Sequence, residues 1–305
     1  MKKTDQLVLN WHLTETCNYA CRYCYSSWNR RQAGEIFRSP EVSSALLKEL
    51  YRYFRANNSF NPLQQSLCWN NVRLSLAGGE TLLFPEHTLR IAREAKAIGF
   101  SLSLITNGSL LTCENVPKLV GNLSMLGISL DSVDRDTNRR IGRIDRSGRV
   151  VCLDEMHDLI ALARACNPEL FIKINTVVNS LNIDEDLRGM VERLRPNKWK
   201  LLRVLPAVTD ALSITDQQFA SFVARHRPLG NILSVEDNQD MTESYIMVDP
   251  CGRFFQNQNN SSNNNPYIYS DPILDVGADA AFAQIKFDIE KFAGRYFQHE
   301  VGDAA

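Results

Sequence analysis

Three cysteines lie close together near the start of the chain. They belong to the segment Cys17-Asn18-Tyr19-Ala20-Cys21-Arg22-Tyr23-Cys24, a C-x3-C-x2-C pattern that follows a strand-like run from Leu7 to Leu13. Neither a regular helix nor a strand brings side chains with this spacing to one point, so the segment is predicted to be a loop. Thiolates that converge in this way are typical ligands of a metal ion or an iron–sulfur cluster.

A structural zinc ion is the alternative to a cluster. Such zinc sites use four protein ligands. His12 would have to be the fourth, but it lies on the predicted strand, and no second Cys-x2-Cys pair follows. A cubane of four irons held by three thiolates leaves one iron open to bind another molecule. The pattern therefore favours a [4Fe–4S] cluster on Cys17, Cys21 and Cys24.

Strand-like and helical segments alternate along the first two thirds of the chain. The predicted strands are 7–13, 72–76, 101–106, 125–130, 170–178 and 199–205, and the predicted helices are 41–56, 86–98, 150–165 and 184–194. This alternation predicts a parallel α/β architecture with its active site at the carboxyl ends of the strands. Six strands are too few for a closed eight-unit barrel, so we expect an open, partial (βα)6 barrel.

The pattern changes after Pro206. The predicted elements beyond it are a helix at 216–227, short strands near 232–235 and 244–248, and a helical region at 278–297. We therefore expect a barrel core in residues 1–207 and an α+β extension in residues 208–305 that closes the substrate site. Residues 256–265 contain only Gln, Asn and Ser, which predicts a polar loop without a core of its own.

The composition bears on whether the protein binds nucleic acid or membranes and on where in the cell it is expected. The net charge of −1 over 305 residues predicts no broad basic surface for nucleic acid. No apolar run reaches the roughly 18 residues of a membrane span, and the first residues lack the apolar stretch of a signal peptide. We expect a cytoplasmic protein without membrane contact, in which the five cysteines outside the cluster motif are thiols or metal ligands rather than disulfides.

The cysteine segment resembles the cluster motif of the radical S-adenosylmethionine (SAM) superfamily, which has an aromatic residue, here Tyr23, before the last cysteine. The resemblance implies that the open iron binds the amino and carboxylate groups of SAM, and that one electron cleaves SAM to a 5′-deoxyadenosyl radical. The residues implied to bind SAM are Gly78, Gly79, Glu80, Asn107, Ser129 and Arg143. Asp131 closes the same strand as Ser129, and each of the two residues either binds SAM or solvates the end of the strand. For Gly78, Gly79 and Asn107, the alternative to SAM binding is a simple turn.

Within the superfamily the chain resembles the viperins, and most of all their prokaryotic members. The resemblance runs from about Asn10 to Phe297. It is carried by Asn10-Trp11-His12-Leu13-Thr14, Ile172-Lys173-Ile174-Asn175-Thr176, Lys198-Trp199-Lys200, Ser244-Tyr245-Ile246-Met247-Val248-Asp249 and Ile273-Leu274-Asp275-Val276-Gly277. It implies that a radical takes hydrogen from ribose C4′ of CTP, UTP or GTP. The product is the 3′-deoxy-3′,4′-didehydro nucleotide, which serves in defence against phage.

Polar residues on two predicted strands agree with a triphosphate substrate. Lys173 and Asn175 have the same parity on one strand, and Lys198 and Lys200 have the same parity on the next, so each pair points to one side. Lysines inside a barrel need a counter-charge, which a triphosphate would supply. A solvated strand end is the alternative explanation for each lysine.

The viperin resemblance implies three further substrate residues. Arg73 and Ser75 lie on the strand before the glycines, although Ala77 stands where the family has a serine. Tyr245 matches a tyrosine beside the substrate that would donate the final hydrogen atom. The alternative for Tyr245 is a core tyrosine with a satisfied hydroxyl group.

Two other classes of function are compatible with parts of the sequence. Peptide-maturing radical SAM enzymes usually carry additional cysteines near the C-terminus, whereas only Cys251 lies beyond Cys166 here. A non-enzymatic iron–sulfur regulator would need neither the glycines nor the strand lysines. We expect a monomeric enzyme that receives electrons from a flavodoxin or ferredoxin. The sequence does not identify the nucleobase.

Overall fold

A computed structural model describes residues 2–25, 34–257 and 267–297. Its strands are β1 (Lys2–His12), β2 (Leu67–Ala77), β3 (Ser101–Thr106), β4 (Met125–Ser129), β5 (Phe171–Val178), β6 (Lys198–Arg203), β7 (Leu233–Glu236), β8 (Ile246–Val248), β9 (Arg253–Asn257) and β10 (Tyr267–Pro272). Its helices are α1 (Pro40–Phe54), α2 (Pro85–Ile98), α3 (Asn115–Val120), α4 (Arg135–Ile141), α5 (Leu153–Cys166), α6 (Arg188–Leu194), α7 (Asp216–His226), α8 (Asn238–Met241), α9 (Ile273–Val276), α10 (Ala278–Phe282) and α11 (Ile289–Phe297). None of the helices in these ranges is long and apolar enough to cross a membrane.

The chain divides into two compact units. The first contains the described parts of Met1–Glu15, Asn29–Ser103 and Asp240–Ala305. In it, β1 runs parallel to β2 and β8, and β9 runs antiparallel to both β8 and β10. Most side chains in the second half of β1 are buried, on both faces of the strand. Parallel strands covered on both sides have this pattern.

The second unit contains the described part of Thr16–Trp28 together with Leu104–Gln239. Its strands β4, β5, β6 and β7 lie side by side in that order, and all of them run parallel. Helices α5 and α6 belong to the connections between consecutive strands, since neighbouring parallel strands need a crossover connection. Strand β3 crosses from one unit to the other between Ser103 and Leu104.

The predicted α/β architecture is confirmed, and the strands do not close into a complete barrel within either unit. The prediction of a core in residues 1–207 and an extension in residues 208–305 stays a prediction. The polar segment 256–265 begins at the end of β9, and its residues from 258 onward lie outside the described part of the chain.

The predicted helical region at 278–297 consists of two helices. Helix α10 ends at Phe282 and α11 begins at Ile289. Asp288 explains the second start, because its carboxylate accepts a hydrogen bond from the backbone N–H of Lys291 at 2.9 Å. Its own N–H donates to the carbonyl of Glu243 at 2.6 Å. A side-chain oxygen that satisfies an N–H of the first turn is a typical helix start.

Candidate active site

The cysteine loop of the second unit is held against the turn that ends helix α4. The backbone N–H of Ala20 donates to the carbonyl of Gly142 at 3.1 Å, and that of Arg22 donates to the carbonyl of Ile141 at 2.8 Å. Gly142 has a φ of +92°, and a Cβ atom there would lie 2.2 Å from the carbonyl oxygen of Ala20. A glycine is therefore required for the loop to approach this closely.

The three motif cysteines are free thiols on this loop. The sulfur of Cys17 accepts hydrogen bonds from the backbone N–H of Tyr19 at 3.4 Å and from the side-chain amide of Asn107 at 3.9 Å. Asn107 lies just beyond β3 and also donates to the side chain of Asn18 at 2.9 Å. The structure thus brings the predicted cofactor residue Asn107 against a predicted cluster ligand. Donors aimed at a cysteine sulfur stabilise its thiolate and tune an attached cluster.

A buried polar network fixes the other end of the loop. The hydroxyl group of Tyr23 donates to the carboxylate of Asp131, which forms an ion pair with Arg143 at 3.5 Å. Asp131 is fully buried and Arg143 is 6% exposed. The guanidinium group of Arg143 also donates to the hydroxyl oxygen of Tyr23 at 3.2 Å and to the carbonyl oxygen of Ser129.

The same network connects the loop to the carboxyl ends of the strands. The second carboxylate oxygen of Asp131 accepts the backbone N–H of Val177 on β5 at 3.0 Å. The side-chain amide of Asn182 donates to the backbone carbonyl of Asp131 at 2.8 Å. Asp131 therefore contacts the cysteine loop, Arg143 and β5 at once. SAM binding by Ser129 and Arg143 stays a prediction, but the structure shows what these groups already contact.

The donor set of the loop fits an iron–sulfur cluster. Burial raises the pKa of the Cys21 thiol to about 12, and the charge of Arg143 opposes that rise. The thiol is therefore protonated in the free protein and loses its proton when it binds iron. No group of His, Cys, Asp and Glu side chains within the described ranges could hold a single metal ion. A cubane spreads its thiolates farther apart than a single ion does, so this result does not conflict with a cluster. Cys17, Cys21 and Cys24 would hold the cluster that the resemblance implies, and the cluster would supply the electron that cleaves SAM.

In the first unit, the segment Gly78-Gly79-Glu80 turns sharply after β2. Gly78 has a φ of +135°, and a Cβ atom there would lie 2.6 Å from the carbonyl oxygen of Thr14. The backbone N–H of Gly79 donates to the same oxygen at 2.7 Å. The carboxylate of Glu80 is buried and accepts the N–H of Leu82 at 3.0 Å. The glycines thus allow close approach to the chain at Thr14, and their predicted contact with SAM stays a prediction.

The predicted substrate residues of the first unit differ in burial and in the side chains that they contact. Arg73 donates to the side chain of Gln6 at 3.0 Å, and Ser75 is buried on the same strand. The ring of Tyr245 is half-buried and lies under the guanidinium group of Arg295, 3.6 Å from the ring centroid. Arg295 comes from α11 and was missed by sequence reasoning, because a contact between residues so far apart leaves no local pattern.

The register of the parallel strands brings the predicted phosphate residues together on one face. Lys173 of β5 lies beside Lys198 of β6, and Asn175 lies beside Lys200. Paired residues of neighbouring strands point to the same side. Asn175 is 8% exposed, and its side-chain oxygen has no hydrogen-bond partner. The prediction from sequence parity that these residues share one side agrees with this register, and their role with a substrate stays a prediction.

One member of this face has a counter-charge that the sequence did not reveal. Lys200 forms a buried ion pair with Glu236, the last residue of β7. The argument that a triphosphate must neutralise the lysines therefore does not hold for Lys200. The sequence could not show this pair, because the pairing of β7 with β6 is a tertiary contact.

Comparison with known proteins places the chain in a family. The sequence model of the family described as the Radical SAM superfamily matches residues 11–194. A protein of Psychrobacter lutiphocae, named S-adenosylmethionine-dependent nucleotide dehydratase, is 42% identical over 291 residues, which is 95% of this chain and 95% of that protein. A protein of the same name from Pseudoalteromonas ulvae is 39% identical over 97% of this chain and 94% of its own length. The chain belongs to the radical SAM superfamily and, within it, to the family of these nucleotide dehydratases.

Solved structures agree with this assignment at the level of the fold. The structure described as native anSMEcpe with bound AdoMet and Kp18Cys peptide has a TM-score of 0.64 at 15% identity, over 96% of this chain and 83% of that one. Radical SAM enzymes use a [4Fe–4S] cluster and SAM, so the cofactors predicted from the cysteine loop are confirmed. The resemblance to viperin-like proteins is confirmed at the level of the family.

Proposed function

We propose that the protein is a radical SAM enzyme that removes water from a nucleoside triphosphate and yields its 3′-deoxy-3′,4′-didehydro analogue. The observation that carries the proposal is the polar face of the second unit, on which Lys173, Lys198 and Lys200 lie on adjacent strands. Relatives up to 42% identical are named nucleotide dehydratases. Such a face is unusual for a parallel sheet, whose covered positions are generally apolar.

Charge and geometry support a triphosphate at this face. Lys200 is paired with Glu236, whereas Lys173 and Lys198 lie beside one another on the same face. Asn175 lies beside Lys200, and the N–H groups of its side-chain amide are donors that a phosphate oxygen can accept. Lysine is a common ligand of phosphate groups, acting as a compact charge with several donors.

The predicted roles of the other residues complete the proposal. Cys17, Cys21 and Cys24 hold the cluster. The SAM-binding residues are Gly78, Gly79, Glu80, Asn107, Ser129 and Arg143. Arg73 and Ser75 contact the substrate, and Tyr245 donates a hydrogen atom to the product radical. A flavodoxin or ferredoxin supplies electrons to a cytoplasmic monomer that contacts neither nucleic acid nor membrane and that acts against phage.

An anaerobic assay tests the proposal. The protein is reconstituted with iron and sulfide, reduced with dithionite and given SAM with CTP, UTP, GTP or ATP, one at a time. We expect one nucleotide to raise 5′-deoxyadenosine well above background and to lose the mass of one water molecule. The variant Lys173→Gln should lose this stimulation. The control Lys118→Gln, an exposed lysine on α3, should keep it.

The outcome that contradicts the proposal is also specific. If SAM cleavage is the same with and without every nucleotide, and no nucleotide mass changes, the substrate is not a nucleoside triphosphate. The superfamily assignment would then stand, and the polar face would need a different anionic ligand.

A further inference from the structure

The polar face of the second unit is arranged in layers along the strand direction. Lys173 and Lys198 are direct neighbours in one layer. Asn175 and Lys200 form the next layer, with Ser129 of β4 beside Asn175. Each layer lies two residues, or about 6.6 Å, nearer to the carboxyl ends of the strands. Side chains that face the interior of α/β barrels stack in such layers.

Glu236 belongs to the layer nearest the carboxyl ends. It lies beside Leu202 of β6, and Leu202 lies beside Val177 of β5. Glu236 is 5% exposed and contacts Lys200 of the layer below. This layer therefore consists of two apolar side chains and one carboxylate, whereas the two layers below it carry the lysines.

The cysteine loop defines the orientation of a substrate on this face. Within the second unit it contacts Asn107, just beyond β3, and Asp131, just beyond β4, so it lies at the carboxyl ends of the strands. The reacting sugar must lie toward that loop, because the radical is formed there. The phosphates must lie on the lysine layers, farther from the loop. The sugar is then level with Glu236.

The chemistry of a carboxylate decides what it can contact there. A buried carboxylate repels phosphate, and it is an acceptor of several hydrogen bonds when ionised. The groups of a nucleoside triphosphate that donate hydrogen bonds close to its phosphates are the sugar hydroxyls. Carboxylates bind ribose hydroxyls in dinucleotide-binding proteins for the same reason.

We propose that Glu236 recognises the sugar hydroxyls of the substrate and makes the site select ribonucleotides over deoxyribonucleotides. This inference rests on the proposed function and adds to it the residue that reads the sugar. Glu236 also orients Lys200, so the test must separate recognition of the sugar from support of the phosphate site.

Binding measurements separate the two roles without any turnover. Isothermal titration of the reconstituted, SAM-loaded protein compares the preferred nucleoside triphosphate with its 2′-deoxy and 3′-deoxy analogues and with inorganic tripolyphosphate. In the native protein we expect the ribonucleotide to bind about 10-fold more tightly than at least one deoxy analogue, as befits a hydrogen bond to a charged group. In Glu236→Gln that difference should shrink to about twofold, while tripolyphosphate binds no more weakly, because a negative charge has been removed.

The control variant is Asp237→Asn, which changes the next carboxylate along the chain. Asp237 pairs with Arg203 and is 41% exposed, so its replacement should leave the ribose preference unchanged. Equal weakening of all ligands in Glu236→Gln, tripolyphosphate included, would show that Glu236 only orients Lys200 and would overturn the inference while the proposed function stands. Equal binding of ribo- and deoxynucleotides by the native protein would overturn it without any variant. If neither a nucleotide nor tripolyphosphate binds, the proposed function fails as well.

Discussion

Replacement of Asp131 by asparagine should destabilise the second unit strongly. The change keeps the size of the side chain but removes the charge that faces Arg143 at 3.5 Å and accepts the hydroxyl group of Tyr23. Arg143 is 6% exposed and would remain as a buried cation without a counter-ion. Removal of one partner of a buried ion pair costs about 3–5 kcal/mol. For a protein of 305 residues we therefore expect the melting temperature to fall by about 5–8 °C.

The assay is thermal unfolding of the iron-free protein, followed by the iron content after anaerobic reconstitution. Asp131→Asn should lower both, because the network holds the cysteine loop as well as the strand ends. The matched control is Asp136→Asn, which changes a carboxylate that is 81% exposed on helix α4, and it should lie within about 1 °C of the native protein. If Asp131→Asn melts with the control and binds iron normally, the network does not hold the loop, and our reasoning about it is wrong.

Three other substitutions test separate parts of the structure by urea unfolding. Gly78→Ala should lower the free energy of unfolding by about 1–3 kcal/mol, because the φ of +135° and the nearby backbone disfavour a Cβ atom. The control Gly189→Ala should not destabilise the protein, since a Cβ atom there would meet nothing within 4 Å. Equal effects of the two changes would contradict this account. Burial lowers the pKa of His12 from 6.5 to about 4. The free energy of unfolding should therefore be about 3 kcal/mol higher above pH 6.5 than near pH 4, because only the unfolded chain binds the proton between these values. His12→Gln should remove this part of the pH dependence, and an unchanged pH dependence would refute the assignment. Arg295→Leu should cost about 2–4 kcal/mol, because it removes the stacking on Tyr245 together with hydrogen bonds to the carbonyl oxygens of Asp240 and Ser244; native stability would show that these contacts contribute nothing.

The sequence predicted best those elements whose signals are local. Strand β3 was predicted with its observed ends, Ser101 and Thr106, and α7 was predicted to within one residue of its end at His226. Both predictions rest on patterns that are read within a few residues, and the structure adds a capping box at the start of α7. Strands β9 and β10 were missed. They border the polar segment after Gln256, and their antiparallel pairing leaves no local pattern beside such a composition.

For the candidate site, the same division between local and tertiary information applies. The spacing of the cysteines and the parity within each strand, of Lys173 with Asn175 and of Lys198 with Lys200, are properties of short segments. They predicted a cluster loop and a polar face. The pairing of Glu236 with Lys200 and the stacking of Arg295 on Tyr245 join distant segments. No single sequence encodes such pairs in a readable way. Sequence reasoning therefore located the chemical groups but not the groups that hold them.

The network around Asp131 shows why that second set of groups matters for a cofactor loop. Three thiols can hold one cluster only if the loop takes a single conformation. Buried ion pairs contribute little net stability compared with apolar packing, because both charges lose their hydration. Their directional contacts nevertheless disfavour alternative positions, since any shift of the loop would leave Asp131 or Arg143 buried and unpaired. The polar network is thus better suited than an apolar contact to fix the loop. Tyr23, which binds Asp131, directly precedes Cys24, so the network constrains the loop next to a predicted cluster ligand.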